Sequence, residues 1–128
     1  SIRPDAIGIV GFSAGGAVAT GAAVRSSGIS RPDFVASIYG VPDEGDVPGN
    51  APPLYIVATA DDPLIPMTLS EQLNARWLHA GYSSTMMRYP DGGHGFGMGY
   101  PGHPTYWWFE VFTHWLDTNG FLATSPDT

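Results

Sequence analysis

Apolar residues gather in four short runs, AIGIVGF (residues 6–12), FVASIYG (34–40), LYIVATA (54–60) and STMMRY (84–89), each bounded by glycine, proline or polar residues. Runs of this length rich in Val, Ile, Phe and Tyr predict β-strands. The first and third are apolar almost throughout, the pattern of parallel strands covered on both faces. Between and after them lie three stretches with helical character. Residues 14–26 are rich in alanine; residues 68–80 place Leu69, Leu73, Arg76 or Trp77, and Ala80 at helical spacing with Gly81 as a stop; residues 105–118 end at Asn119-Gly120. Thr68 and Glu71 fit a capping box, with Thr68 as N-cap. The stretch VPDEGDVPGNAPP (41–53) predicts a surface loop, and the tail after Leu122 predicts a frayed end. Strand and helix alternate, so the fold class is α/β with about four parallel strands and flanking helices.

The length of 128 residues fits one domain spanning 1–128, with a 43% hydrophobic composition that predicts a soluble globular chain. No apolar run approaches the roughly 20 residues of a membrane helix. The formal net charge is −7, and the basic residues Arg3, Arg25, Arg31, Arg76 and Arg88 are scattered, so the electrostatic footprint of a nucleic-acid binder is missing. Without cysteine there is neither a disulfide framework nor thiolate-held zinc. The first residues, SIRPDAIG, show no secretory leader pattern and no initiator Met, and the compartment, cytoplasmic or secreted, is not legible.

The chemistry concentrates in three places. GFSAGG (11–16) follows the first strand run and opens the first helix; it satisfies G-x-S-x-G, where glycines two residues either side of Ser13 permit a sharp turn that projects its hydroxyl. The Ala14 N–H, at the helix N-terminus, is a candidate oxyanion donor. A serine nucleophile needs a histidine base and a carboxylate, in the order Ser, Asp or Glu, His for this turn type. Asp61-Asp62 follow the third run, at a strand end where α/β sheets place their ligands. His94 lies after the fourth, in the glycine-dense PDGGHGFG. Blander roles are available: Ser13 as a helix cap, Asp61 or Asp62 as a turn cap before Pro63, His94 as a loop histidine. The ordered recurrence of all three favours catalysis. His79, His103 and His114 read as structural, and His94, His103 and Asp91 match no metal-ligand spacing, so neither a metal nor a cofactor is expected. Trp107, Trp108, Phe109, Phe112 and Trp115 read as a core-facing stripe, part of it bare. The run Gly95-Phe96-Gly97-Met98-Gly99 lacks the flanking strand and helix of a dinucleotide site.

Together GFSAGG, the DPLIP segment (62–66), and GGHGFG followed by TYWWFEVFTHWLDTNGFL resemble the α/β-hydrolase superfamily, in its acetyl-xylan-esterase-like and dienelactone-hydrolase-like esterase branch. The resemblance implies Ser13 as nucleophile, His94 as general base and Asp62 as orienting carboxylate, because in that group the acid directly precedes a P-L-V-P-like segment, here Pro63–Pro66. Asp61→Asn is accordingly expected to be mild. The implied activity is a serine carboxylic-ester hydrolase acting on small esters with a short acyl group, acetyl on carbohydrate among them. The alternatives are a catalytically silent fragment or binding domain, and a serine peptidase of the same superfamily. The chain departs from the family in starting at the strand before Ser13: the N-terminal half, with its second oxyanion donor, is not in the sequence. A slow enzyme is expected on that ground, and an exposed hydrophobic strand edge that favours a homodimer or higher oligomer.

Overall fold

In the computed structural model, which describes residues 3–122, all four apolar runs form strands: β1 (Gly8–Phe12), β2 (Phe34–Ile38), β3 (Leu54–Thr59) and β4 (Ser84–Tyr89). They pair in parallel in the order β1-β2-β3-β4. The register aligns Phe12 with Ile38, Ile38 with Val57, and Thr59 with Tyr89, so the C-terminal strand ends share one rim of the sheet. The predicted segments following β1, β3 and β4 therefore all emerge on that rim.

The helices are α1 (Gly15–Arg25), α2 (Met67–His79) and α3 (Trp108–Thr118). Alternate residues of the central strands serve opposite faces. Val35, Leu54 and Ile56 pack with Ala19 and Ala23 of α1 and with Leu73 and Trp77 of α2. Ala36, Ile38, Tyr55 and Val57 pack with Trp108, Phe112 and Trp115 of α3. Burial on both faces is the reason β3 reads as continuously apolar. The expected aromatic stripe divides: Trp108, Phe112 and Trp115 fill the core at helical spacing, whereas Trp107 and Phe109 are exposed. β1 pairs only with β2 among the described residues, and Val10 and Phe12 along it and Ile7 just before it are exposed, the apolar edge the sequence predicts.

Three local expectations are corrected. Thr68 does not cap α2: Pro66 is the N-cap, no side chain caps the helix, and Glu71 instead pairs with Arg88 at 3.3 Å. Pro66 has an extended backbone and offers its carbonyl to the Leu69 N–H, which starts the helix two residues earlier than the capping box requires. Residues 105–118 are not one helix, because Pro104–Trp107 forms a 3-10 turn before α3; the His103 side chain accepts from the Thr105 N–H and Pro104 occupies the first turn. The loop 41–53 is irregular as expected, yet it does more than cover surface. Val47 and Ala51 join the core beneath α1 and α2, and the buried Trp77 donates Nε1–H to the Pro52 carbonyl at 2.8 Å. The tail expected to fray, from residue 123 onward, lies outside the described residues.

Candidate active site

The turn after β1 holds Ser13 at φ +55°, a left-handed backbone that costs a residue with a side chain about 1–2 kcal/mol. Backbone hydrogen bonds fix it: the Ser13 N–H donates to the Ile38 carbonyl at 3.1 Å, and the Ser13 carbonyl accepts from Gly16 and Val41, both at 2.9 Å. The glycines around it differ in need. A Cβ on Gly11 would lie 2.0 Å from the Gly15 oxygen, and one on Gly16 would lie 2.7 Å from the Gly40 Cα. A Cβ on Gly15 would meet nothing within 4 Å, so of the two glycines flanking Ser13 in the motif, only Gly11 is sterically required. The second close approach belongs to Gly16, which lets α1 pack against the strand-end turn at Gly40.

His94 hangs from the loop after β4, with Gly93 at φ +70° and Gly95 at φ +76° on either side. Its Nε2 lies 2.7 Å from the Ser13 Oγ, and its Nδ1 lies 2.8 Å from Asp62 Oδ2. The other oxygen of Asp62, Oδ1, accepts from the Leu64 and Ile65 N–H groups, each at 2.9 Å. A carboxylate oriented by two backbone donors accepts from the histidine, which places the ring proton on Nδ1 and leaves Nε2 to accept from the serine hydroxyl. The Asp62 side chain is only 2% exposed and that of His94 13%, so the bonds are shielded from competing water.

The neighbouring Asp61 does not touch the ring. Its Oδ1 accepts from the Gly93 N–H at 2.8 Å. That hydrogen bond is the main reason its carboxyl sits below its ordinary value of 3.8, although the group is exposed. Ala14 is the N-cap of α1, next to Ser13 at the positive end of the helix dipole, and its N–H has no partner among the described residues. His79 ends α2 and His114 is exposed on α3, while His103 Nε2 lies 3.3 Å from Asp91. Among the described residues, no group of three or more His, Asp or Glu side chains is placed to hold a metal ion, and no helix is long and apolar enough to cross a membrane.

Sequence reasoning missed Tyr39. It follows β2 at φ +38°, and its ring meets the His94 ring edge-on, with centroids 4.9 Å apart. Its hydroxyl accepts from the Gly97 N–H at 3.2 Å, while Trp108 Nε1 donates to the Gly97 carbonyl at 2.8 Å. Phe12 completes this wall, its centroid 5.9 Å from the rings of both Tyr39 and Trp108. The signal available in the sequence was an aromatic residue directly before a glycine at a strand end, Tyr39-Gly40.

Solved structures with this arrangement of strands and helices are numerous. An acetyl ester-xyloside bifunctional hydrolase from Caldicellulosiruptor lactoaceticus superposes with a TM-score of 0.80 at 21% identity, over 95% of this chain and 60% of its own. An alpha/beta hydrolase enzyme from a Medee basin deep-sea metagenome library gives 0.81 at 25% identity, over 91% of this chain and 55% of its own. A carboxylesterase from Lactobacillus plantarum gives 0.77 at 20% identity, over 97% and 62%. The fold is thus that of the α/β hydrolases, and the chain spans about 60% of the length of these structures. No curated protein sequence matches significantly. The sequence pattern of one family matches residues 1–127, and the chain therefore belongs to the dienelactone hydrolase family.

Proposed function

We propose that the chain carries the catalytic machinery of a serine carboxylic-ester hydrolase that works through an acyl-serine intermediate. The observation that supports this reading is the continuous line from Ser13 Oγ through His94 to Asp62, with both hydrogen bonds at 2.7–2.8 Å. Ser13 Oγ attacks the ester carbonyl carbon while its proton passes to His94 Nε2. The C–O bond to the alcohol then breaks, and His94 returns the proton to the departing oxygen. Water attacks the acyl-serine, again giving its proton to His94, and the acid leaves as the Ser13 hydroxyl is restored. Asp62 holds the imidazole in the tautomer this cycle needs and stabilises the transient imidazolium. The Ala14 N–H, at the positive end of α1, is the proposed donor to the oxyanion.

The names of the similar structures, an acetyl ester-xyloside hydrolase and a carboxylesterase, favour small esters as substrates, with acetyl groups on carbohydrate the first class to examine. The test uses p-nitrophenyl esters of increasing acyl length with the wild-type chain and Ser13→Ala, alongside labelling by a fluorophosphonate probe. Turnover greatest on short acyl groups, labelling at Ser13, and loss of both in Ser13→Ala are expected. A folded sample that neither turns over these esters nor takes up the probe would end this reading and favour a catalytically silent domain.

A further inference from the structure

The loop that carries His94 is poorly suited to holding a base in place unaided. Gly92, Gly93, Gly95 and Gly97 all have positive φ, and glycine loses more backbone freedom on ordering than any other residue. Something outside the loop must fix it. The Gly93 peptide, one residue before His94, is gripped on both sides by groups from the end of β3. Its N–H donates to Asp61 Oδ1 at 2.8 Å, and its carbonyl accepts from Thr59 Oγ1 at 2.7 Å. Asp62, next in sequence, meanwhile takes the His94 ring. Two consecutive aspartates thus address the same histidine, one through the imidazole and the other through the backbone that supports it.

We propose that Asp61 is a positioning residue for His94, acting through the Gly93 peptide together with Thr59. This inference rests on the ester-hydrolase reading for its kinetic consequence, but not for its structural one. The lowered pKa of Asp61 agrees with a carboxylate that accepts this backbone proton in the folded chain. Asp61 is exposed, so its truncation removes no core contact. An amide oxygen at the same position accepts the same hydrogen bond, though less strongly than a carboxylate. Asp61→Asn and Asp61→Ala therefore separate the hold from the mere presence of a side chain.

The experiment compares wild type, Asp61→Ala and Asp61→Asn in three measurements: kcat and KM on p-nitrophenyl acetate, hydrogen exchange of the Gly93 amide, and the NMR signal of the His94 Nδ1–H. In Asp61→Ala, kcat is expected to fall by roughly 10- to 100-fold with KM little changed, the range that a misplaced catalytic group produces. The Gly93 amide should exchange faster, and the Nδ1–H signal should weaken as the ring loses its fixed partner. Asp61→Asn should restore most of each. Wild-type kcat in Asp61→Ala, equal damage in Asp61→Asn, or an Nδ1–H signal indifferent to the alanine change would each overturn the proposal. Absence of turnover in the wild type would instead end the ester-hydrolase reading, and the two spectroscopic measurements would still decide whether Asp61 positions His94.

Discussion

Ser13 and Asp62 each make more hydrogen bonds to the backbone than to other side chains. The Ser13 amide and carbonyl are fixed by β2 and the residue after its end turn; Asp62 Oδ1 is fixed by two N–H groups of its own turn. A hydroxyl and a carboxylate are thereby held ready on opposite sides of one imidazole. Asp62→Asn keeps the size of the side chain but can present an amide N–H to His94, which favours the wrong tautomer. We expect kcat on p-nitrophenyl acetate to fall by about 10³–10⁴-fold with KM little changed, while the far-ultraviolet spectrum stays that of wild type. A folded Asp62→Asn variant with near-wild-type kcat would remove Asp62 from the mechanism. At this scale the sequence marks Ser13 and His94 through their glycine neighbours, but the residues alone leave Asp61 and Asp62 equivalent. The distinction depends on which carboxylate reaches the ring, a fact of the turn around Pro63 that only the resemblance to the family's P-L-V-P-like segment conveyed. Tyr39 was hidden for a related reason: its value to the site lies in a left-handed backbone that carries its ring toward His94.

The junction of β1 and α1 separates what a motif states from what packing requires. Gly15 and Gly16 are adjacent, but only Gly16 faces another backbone, at Gly40. Gly16→Ala is expected to cost about 1–3 kcal/mol, the usual penalty of overpacking a closed contact. Gly15→Ala, with open space and a helical backbone, should be neutral or stabilising by up to about 1 kcal/mol. Urea unfolding of both variants provides the check, and equal destabilisation by the two would contradict the steric argument. The contrast also shows why elements were easier to read than their ends. Apolar runs specified β2 and β3 because both are buried on both faces, and helical spacing located Leu73, Trp77, Phe112 and Trp115 in the core. Helix starts depended on competition among local partners: Glu71 was claimed by Arg88 rather than by a capping box, and His103 with Pro104 turned the first part of the last helical stretch into a 3-10 turn.

Across the whole molecule, the loop 41–53 substitutes for a crossover helix between β2 and β3, and Asp43 fastens it. The Asp43 carboxylate pairs with Arg25 of α1 and accepts from the Gly45 N–H; its backbone N–H donates to Thr20 Oγ1, and its carbonyl accepts from Arg76 of α2. The same loop begins at Val41, whose N–H donates to the Ser13 carbonyl, so the loop that Asp43 fastens also supports the turn at Ser13. Burial alone would raise the carboxyl's pKa, but the Arg25 hydrogen bond, the Gly45 N–H and the charges of Arg25 and Arg76 outweigh it and hold the group below its ordinary value of 3.8. A carboxyl depressed in this way binds fewer protons folded than unfolded. Its contribution to stability is therefore complete above the ordinary value and disappears as pH falls through the lower native one. Asp43→Asn removes the charge and keeps the shape, and other acid-sensitive groups are common to both chains. The difference in urea midpoint between wild type and Asp43→Asn is thus expected to be constant from about pH 7 to about pH 5, and to shrink progressively below about pH 4 as wild type acquires the proton that asparagine cannot need. A gap that persisted undiminished at about pH 2 would mean that the charge of the Asp43 carboxylate is not what stabilises the fold.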